Sequence, residues 1–474
     1  MTTTLPGPVP GPGPSPSTAA PATAPDAAAV FDRLRRHLSP KLALTGGFAG
    51  RGAVESVAEG CRVTLSDGRT ALDFGSYAVT LLGHRHPAVT AAVRGQLDAM
   101  PTATRSLANP VTAEAAARLS GYLGDALPKV YFGLNGADVV EVAVKLARLA
   151  TGRPRVLAVR GGFHGKSLGA LALTHSPLYR RGLLGCEVDV VHVDAEDPAA
   201  VGRETAGGEV AAVVLEPVQG ENGALPLPTE VLRQWCADAA RDGAFVIADE
   251  IQCGLRRCGP RSVALADGLP VDAVLLGKPL GGGVVPLSAL LCSERLYAPL
   301  AADPFLHSAT FGGHPLSCAA VPAALDAIEE LADHGTELAA RLDAVLTGLR
   351  ERHPDVVRAV PGRGLLRGLD CASPQAAGAT VLELAATGLL VSPCLSRPTT
   401  VRLLPPLITS AAQLAEAESI LDAALAATGR TLRPTPGTAT AWSAAVPGTA
   451  TARSAATPGT ARTTTEGGHP GAHA

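Results

Sequence analysis

The sequence predicts an α/β fold, with a large, mostly parallel sheet crossed by helices and a smaller α+β domain built from both chain ends. Three observations carry this. Short apolar runs such as Val210–Leu215 and Ala244–Ala248 lack in–out alternation, the pattern of strands covered on both faces. Polar or helix-periodic stretches separate most of them, as crossover helices do in a parallel sheet. Beyond Pro315 the order changes, and long helical patterns precede short strands. With 474 residues, 46% of them hydrophobic, the chain can fill one large core and a smaller one.

Taken in order, residues 1–28 are rich in Pro, Ala and Thr and bury too little apolar surface to offset ordering entropy. Residues 29–80 supply the first part of the small domain, with a hairpin from Arg62–Leu65 to Ala71–Phe74 around Asp67-Gly68. Residues 81–320 form the large domain. Within it, Asp138–Leu149 places Val139, Val142, Ala143, Leu146 and Leu149 on one helical face. Strands are expected at Arg155–Val159, Val188–Val193, Val210–Leu215, Ala244–Ala248, Ala273–Leu276 and Leu287–Leu291. Residues 321–430 complete the small domain. Helical patterns at Leu316–Leu331 and Thr336–Glu351 lead to strands near Gly364–Leu369, Leu389–Val391 and Val401–Leu404, then a helix at Ala411–Ala427. In the tail, 431–474, Pro-Gly-Thr-Ala recurs at 436, 447 and 458, and its breakers exclude a continuous helix.

Composition narrows the function. A net charge of −3 and 3% aromatic residues give no basic, stacking surface for nucleic acid. No apolar run of about 18 residues is present for a membrane span, and no basic-then-apolar leader opens the chain. The nine cysteines are scattered. Cys253 and Cys258 have neither zinc-site nor Cys-x-x-Cys spacing, so reduced thiols, no metal and a cytoplasmic location are expected.

In open α/β sheets ligands gather at the carboxyl ends of the strands. Three charged residues follow expected strands there: Glu216, Asp249 and Lys278, the last within Leu-Leu-Gly-Lys-Pro-Leu-Gly-Gly-Gly. An amine and a carboxylate so placed suit a cofactor that is bonded covalently at one end and holds a protonated ring nitrogen at the other, namely pyridoxal 5'-phosphate. Its phosphate needs a cradle, and Asn135-Gly136-Ala137 directly precedes a helix whose free N–H groups favour an anion. Phe163, in a glycine-lined segment after another strand, is the aromatic placed to stack on a planar ring.

Together these segments resemble the class III aminotransferases, the fold type I pyridoxal-phosphate family that includes ornithine, 4-aminobutyrate and putrescine aminotransferases. The likeness spans roughly residues 40–428. It rests on Gly83-His84-Arg85-His86-Pro87, Asn135-Gly136-Ala137, Gly162-Phe163-His164-Gly165-Lys166-Ser167, Glu216-Pro-Val-Gln-Gly-Glu221, Ala248-Asp249-Glu250-Ile251-Gln252, Lys278 and Thr310-Phe-Gly-Gly. The segments around Phe163 and Asp303–His307 are most similar to the putrescine branch. The resemblance implies that Lys278 is the covalent anchor and proton shuttle, and that Asp249 keeps the ring nitrogen protonated. It further implies that Gln252 bonds the ring hydroxyl, Phe163 stacks, Gly136 and Ala137 bind phosphate, and Thr310 reaches a neighbouring subunit's phosphate in a homodimer with shared sites. Arg402 would take the α-carboxylate of a donor such as glutamate, Glu221 would pair with it, and Tyr77 would wall the pocket.

The chain departs from the usual pattern at Asn135-Gly136-Ala137-Asp138, at Ala309 and at His314. These departures leave the chemistry in place and the second substrate open: a polyamine, an ornithine-like amino acid, or a natural-product or modified-peptide intermediate. The implied activity is a ping-pong transfer from amino donor to carbonyl acceptor, in specialised biosynthesis among other settings. Aminomutases, racemases and decarboxylating transaminases share the scaffold, and an idle binding homologue would have no need of both Lys278 and Asp249.

Overall fold

Seven strands form the sheet that carries the candidate site, in the order Lys129–Gly133, Ser288–Cys292, Ala273–Leu276, Phe245–Asp249, Val210–Leu215, Arg155–Val159, Asp189–Val193. Neighbours pair in parallel except at Ser288–Cys292, which runs antiparallel to both strands beside it. The computed structural model describes residues 24–104, 106–181 and 188–432. Apart from their inner edges, the expected tails at 1–28 and 431–474 lie outside these residues. At those edges, helix Ala27–His37 begins inside the N-terminal extension, capped by the Asp26 side chain, and helix Ala411–Leu432 runs past the expected end at Ala427.

Every residue of Val210–Leu215 and of Phe245–Asp249 is buried, which is why these strands do not alternate. Burial of each Val, Leu, Ile or Phe contributes roughly 1.5–3 kcal/mol. One side of the sheet packs against helix Gly136–Thr151, whose Val139, Val142, Ala143 and Leu146 are buried. Asn135 and Asp138 form a reciprocal cap at its start, and Gly152 closes it at φ 70°.

Register brings the three charged strand ends together. Ala248 lies opposite Leu215 and Asp249 opposite Leu275, so Glu216 and Asp249 leave neighbouring strands side by side. Lys278 follows Leu276 after one glycine.

Of two smaller sheets, one joins strands from both ends of the chain and the other is built from residues 357–403 alone. Glu55–Glu59, Arg62–Leu65 and Thr70–Asp73 form an antiparallel meander, extended in parallel by Leu389–Leu390. In the other, Leu366–Cys371 pairs with Thr400–Leu403, setting Gly368 opposite Arg402.

Some elements differ from the sequence reading. The hairpin's second strand starts one residue earlier, at Thr70. The helical stretch expected over Leu316–Leu331 is split into Pro315–Cys318 and Ala320–Glu330. Pro322 explains the break, because it offers no N–H to the carbonyl of Cys318. Strand Lys129–Gly133 escaped detection; it lies at the sheet edge, only half-buried at its first three positions, and is too short to show a period.

Candidate active site

A cavity of about 670 Å³ opens at the carboxyl ends of the central strands. Lys278, Asp249, Gln252, Phe163, Gly136, Ala137, Glu221, Arg402 and Tyr77 all line it. Thr310 does not; it is exposed elsewhere on the surface.

Lys278 opens a short 3₁₀ turn with φ 43°, a left-handed backbone at a non-glycine residue. Burial disfavours its ammonium, the Asp249 charge opposes that, Arg402 adds to it, and the pKa falls below the ordinary lysine value.

Asp249 is 4% exposed and held on both oxygens. Its Oδ1 accepts from the Ile251 amide at 3.2 Å, and its Oδ2 accepts from His164 Nδ1 at 2.8 Å. Burial works against a charged His164, but the hydrogen bond and charge of Asp249, with Glu216 beyond it, outweigh burial and raise its pKa. Glu216 Oε1 accepts from the Phe163 amide at 2.8 Å and Oε2 from the Gly220 amide at 3.2 Å. Burial pushes its pKa up. Glu216 therefore fixes the backbone that presents Phe163, while His164 fixes Asp249. The sequence offered no sign of His164 beyond its place after Phe163, and it showed Glu216 as a strand-end acid without a role.

At the helix start, Gly136 and Ala137 are the first helical residues, whose amides precede any intrahelical acceptor. A Cβ on Gly136 would sit 2.9 Å from Ile251 Cδ1. The glycine is needed for that close approach. Ser288 Oγ donates to the Asn135 carbonyl at 2.8 Å and fixes the turn.

Another part of the lining carries a buried ion pair. Arg402, 1% exposed, donates from Nη1 to Glu221 Oε1 at 2.6 Å and to Gln252 Oε1 at 3.1 Å. Its Nε is buried without a partner among the described residues. Tyr77 is 76% exposed at the rim, with φ 53°. Tyr179 meets the Phe163 ring edge-on at 5.4 Å, and Lys166 Nζ lies 4.6 Å from the Tyr179 ring centre. Sequence reading did not place Tyr179 here.

The donors and carboxylates present fit pyridoxal phosphate. A lysine with depressed pKa, a buried carboxylate braced on both oxygens and a helix start with free amides share one cavity.

Comparison with known proteins agrees. The aminotransferase class-III family profile matches residues 52–425. The putrescine aminotransferase of Pectobacterium atrosepticum is 34% identical over 400 residues, covering 80% of this chain and 84% of that protein. Among solved structures, the ornithine aminotransferase of Toxoplasma gondii superposes with a TM-score of 0.79 at 26% identity, over 86% of this chain and 96% of that one. A pyridoxal-phosphate-bound amine transaminase from an uncultivated Pseudomonas species gives a TM-score of 0.73 at 28% identity, over 80% and 95%. With that profile spanning most of its length, this chain belongs to the class III aminotransferases, enzymes that depend on pyridoxal phosphate.

Proposed function

We propose that the protein transfers an amino group in two half-reactions, from an amino acid donor of the glutamate type to the cofactor and from there to a carbonyl acceptor whose product is a primary amine. The carrying observation is the buried Arg402, which lines the same cavity as Lys278 and Asp249 and is paired with Glu221 at 2.6 Å. A planar guanidinium binds a carboxylate through two parallel hydrogen bonds, and an acid able to swing away makes that binding reversible. With Glu221 withdrawn, Arg402 receives the donor's α-carboxylate. With Glu221 in place, the same wall is neutralised for a substrate that has no carboxylate there.

Bound pyridoxal phosphate supplies the carbonyl that takes the amino group and a ring that accepts electrons. Lys278 is the covalent anchor and, once released, the base that carries the proton to and from the substrate carbon. Its depressed pKa keeps more of it as free amine near neutral pH. Asp249, oriented by His164, holds the proton on the ring nitrogen. Phe163 stacks on the ring, Gln252 donates to the ring oxygen, and the Gly136 and Ala137 amides bind phosphate. Tyr77 shapes the entrance. Thr310, exposed and outside its own cavity, serves the partner site of a homodimer.

The second substrate belongs to the polyamine-like amines or their aldehydes, the class suggested by the putrescine aminotransferase relative; an intermediate of specialised biosynthesis is one such carbonyl. An acceptor screen that follows conversion of glutamate to 2-oxoglutarate tests this reading. Parallel double-reciprocal lines and a primary-amine product support it. Turnover of a substrate without any carbonyl partner contradicts it.

A further inference from the structure

The hydrogen bond between Arg402 and Gln252 has a consequence of its own. A guanidinium has only donors, so Arg402 Nη1, 3.1 Å from Gln252 Oε1, dictates which end of the amide it faces. The oxygen must turn to the arginine. That leaves Nε2, a donor with no protein acceptor among the described residues, on a side chain that lines the cavity. The local backbone permits only a tight fit: a Cβ on Gly220 would stand 1.7 Å from Gln252 Oε1 and 2.4 Å from its Cδ. The same Nη1 is 2.6 Å from Glu221 Oε1, so one nitrogen is shared between the movable acid and the amide.

We infer that Arg402, besides receiving a carboxylate, is the positioning residue for Gln252, so that the state of the carboxylate site reaches the cofactor face through this one amide. This rests on the reading of Arg402 and Gln252 given above. When Glu221 or a substrate carboxylate draws on Nη1, the hold on Oε1 changes, and with it the donor that Gln252 offers to an oxygen in the cavity. A glutamine free of the arginine can present either end. A glutamine held by it presents a donor.

A double-mutant cycle on the cofactor-loaded protein tests the coupling, read as the pH at which the visible absorbance titrates and as the dissociation constant of pyridoxal phosphate. Arg402→Met should move the absorbance midpoint by about 0.5–1 pH unit, the worth of one hydrogen bond, and should weaken cofactor binding several-fold. In a Gln252→Leu background the same substitution should move the midpoint much less. Gly220→Ala, which displaces the amide and leaves Arg402 intact, should shift the midpoint as Arg402→Met does; it also serves if the arginine variant does not fold. Equal shifts from Arg402→Met with and without Gln252 would mean that the arginine acts by its charge alone and would overturn the inference, as would a wild-type midpoint in Gly220→Ala. The KM for glutamate is measured in parallel. If it does not rise in Arg402→Met, the carboxylate-receptor reading fails, whatever the absorbance does.

Discussion

Arg402 and Arg257 are both almost wholly buried, at 1% and 0% exposure, yet the partners they meet differ in kind. Arg402 lies on a cavity wall with a carboxylate and an amide oxygen on one nitrogen. Arg257 lies in the turn that follows the Asp249–Gln252 segment and, among the described residues, its side chain meets only carbonyl oxygens, those of Pro405 at 2.5 Å and Leu365 at 3.4 Å. Its Nε and Nη2 have no partner among the described residues, and burial lowers its pKa to about 10. Its neighbour Arg256 makes the contrast sharper, because it reaches Glu329 with two nitrogens at 2.9 and 2.7 Å. On the proposed function, a buried cation beside an acid exchanges that acid for a substrate carboxylate. One resting on carbonyls ties segments together, here the turn after Gln252, the Leu365 hairpin and the loop that leaves the Arg402 strand.

Substitution separates these roles, and the largest effect belongs to Arg402. Arg402→Met should lower kcat/KM for glutamate roughly 100–1000-fold, since a two-bond, charge-assisted contact is worth about 3–4 kcal/mol. An amine substrate lacking a carboxylate should lose far less. Equal losses for both substrates would remove the distinction between the two arginines.

The surface-facing acid comes next. Although burial alone would raise its pKa, hydrogen bonds from Arg256, Arg261 and Tyr122 draw Glu329 down to about 2. A folded-state pKa below the unfolded value of 4.5 means that this contribution is complete above pH 4.5 and disappears as pH falls toward 2. Wild type should therefore lose up to about 2 kcal/mol over that window, less than the full shift would give because solvent screens a partly exposed cluster, and Glu329→Gln should not lose it. Urea midpoints measured from pH 5 to 2 give the difference, and parallel curves would show that the cluster adds nothing.

The smallest change is expected at the most deeply buried group. Arg257→Met orphans two carbonyls but removes the penalty of an unpaired buried charge, so stability should change by only about 1–2 kcal/mol. The KM for glutamate should stay within about threefold, the scale of a substitution that makes no substrate contact. A loss above about 4 kcal/mol in urea unfolding would show that the guanidinium has an anionic partner after all.

Much of the fold was legible because the central strands are fully covered, and fully covered strands such as Val210–Leu215 announce themselves as unbroken apolar runs. Lys278, Asp249 and Glu216 could be found because each follows such a run. The edge strand Lys129–Gly133 could not, since its half-buried residues carry no such contrast. His164 was equally hidden: its meaning lies in a hydrogen bond to Asp249 across 85 residues of chain. Nor could sequence spacing tell that Arg402 would be buried beside an acid while Arg257 meets only carbonyl oxygens among the described residues, because both depend on how distant segments close over them.

Loading the protein with pyridoxal phosphate, reducing it with borohydride and mapping the modified peptide tests the central claim most directly. The account predicts the cofactor mass on Lys278 alone, together with loss of turnover in Lys278→Ala that still binds cofactor. Label on another lysine, or full activity in that variant, would contradict it.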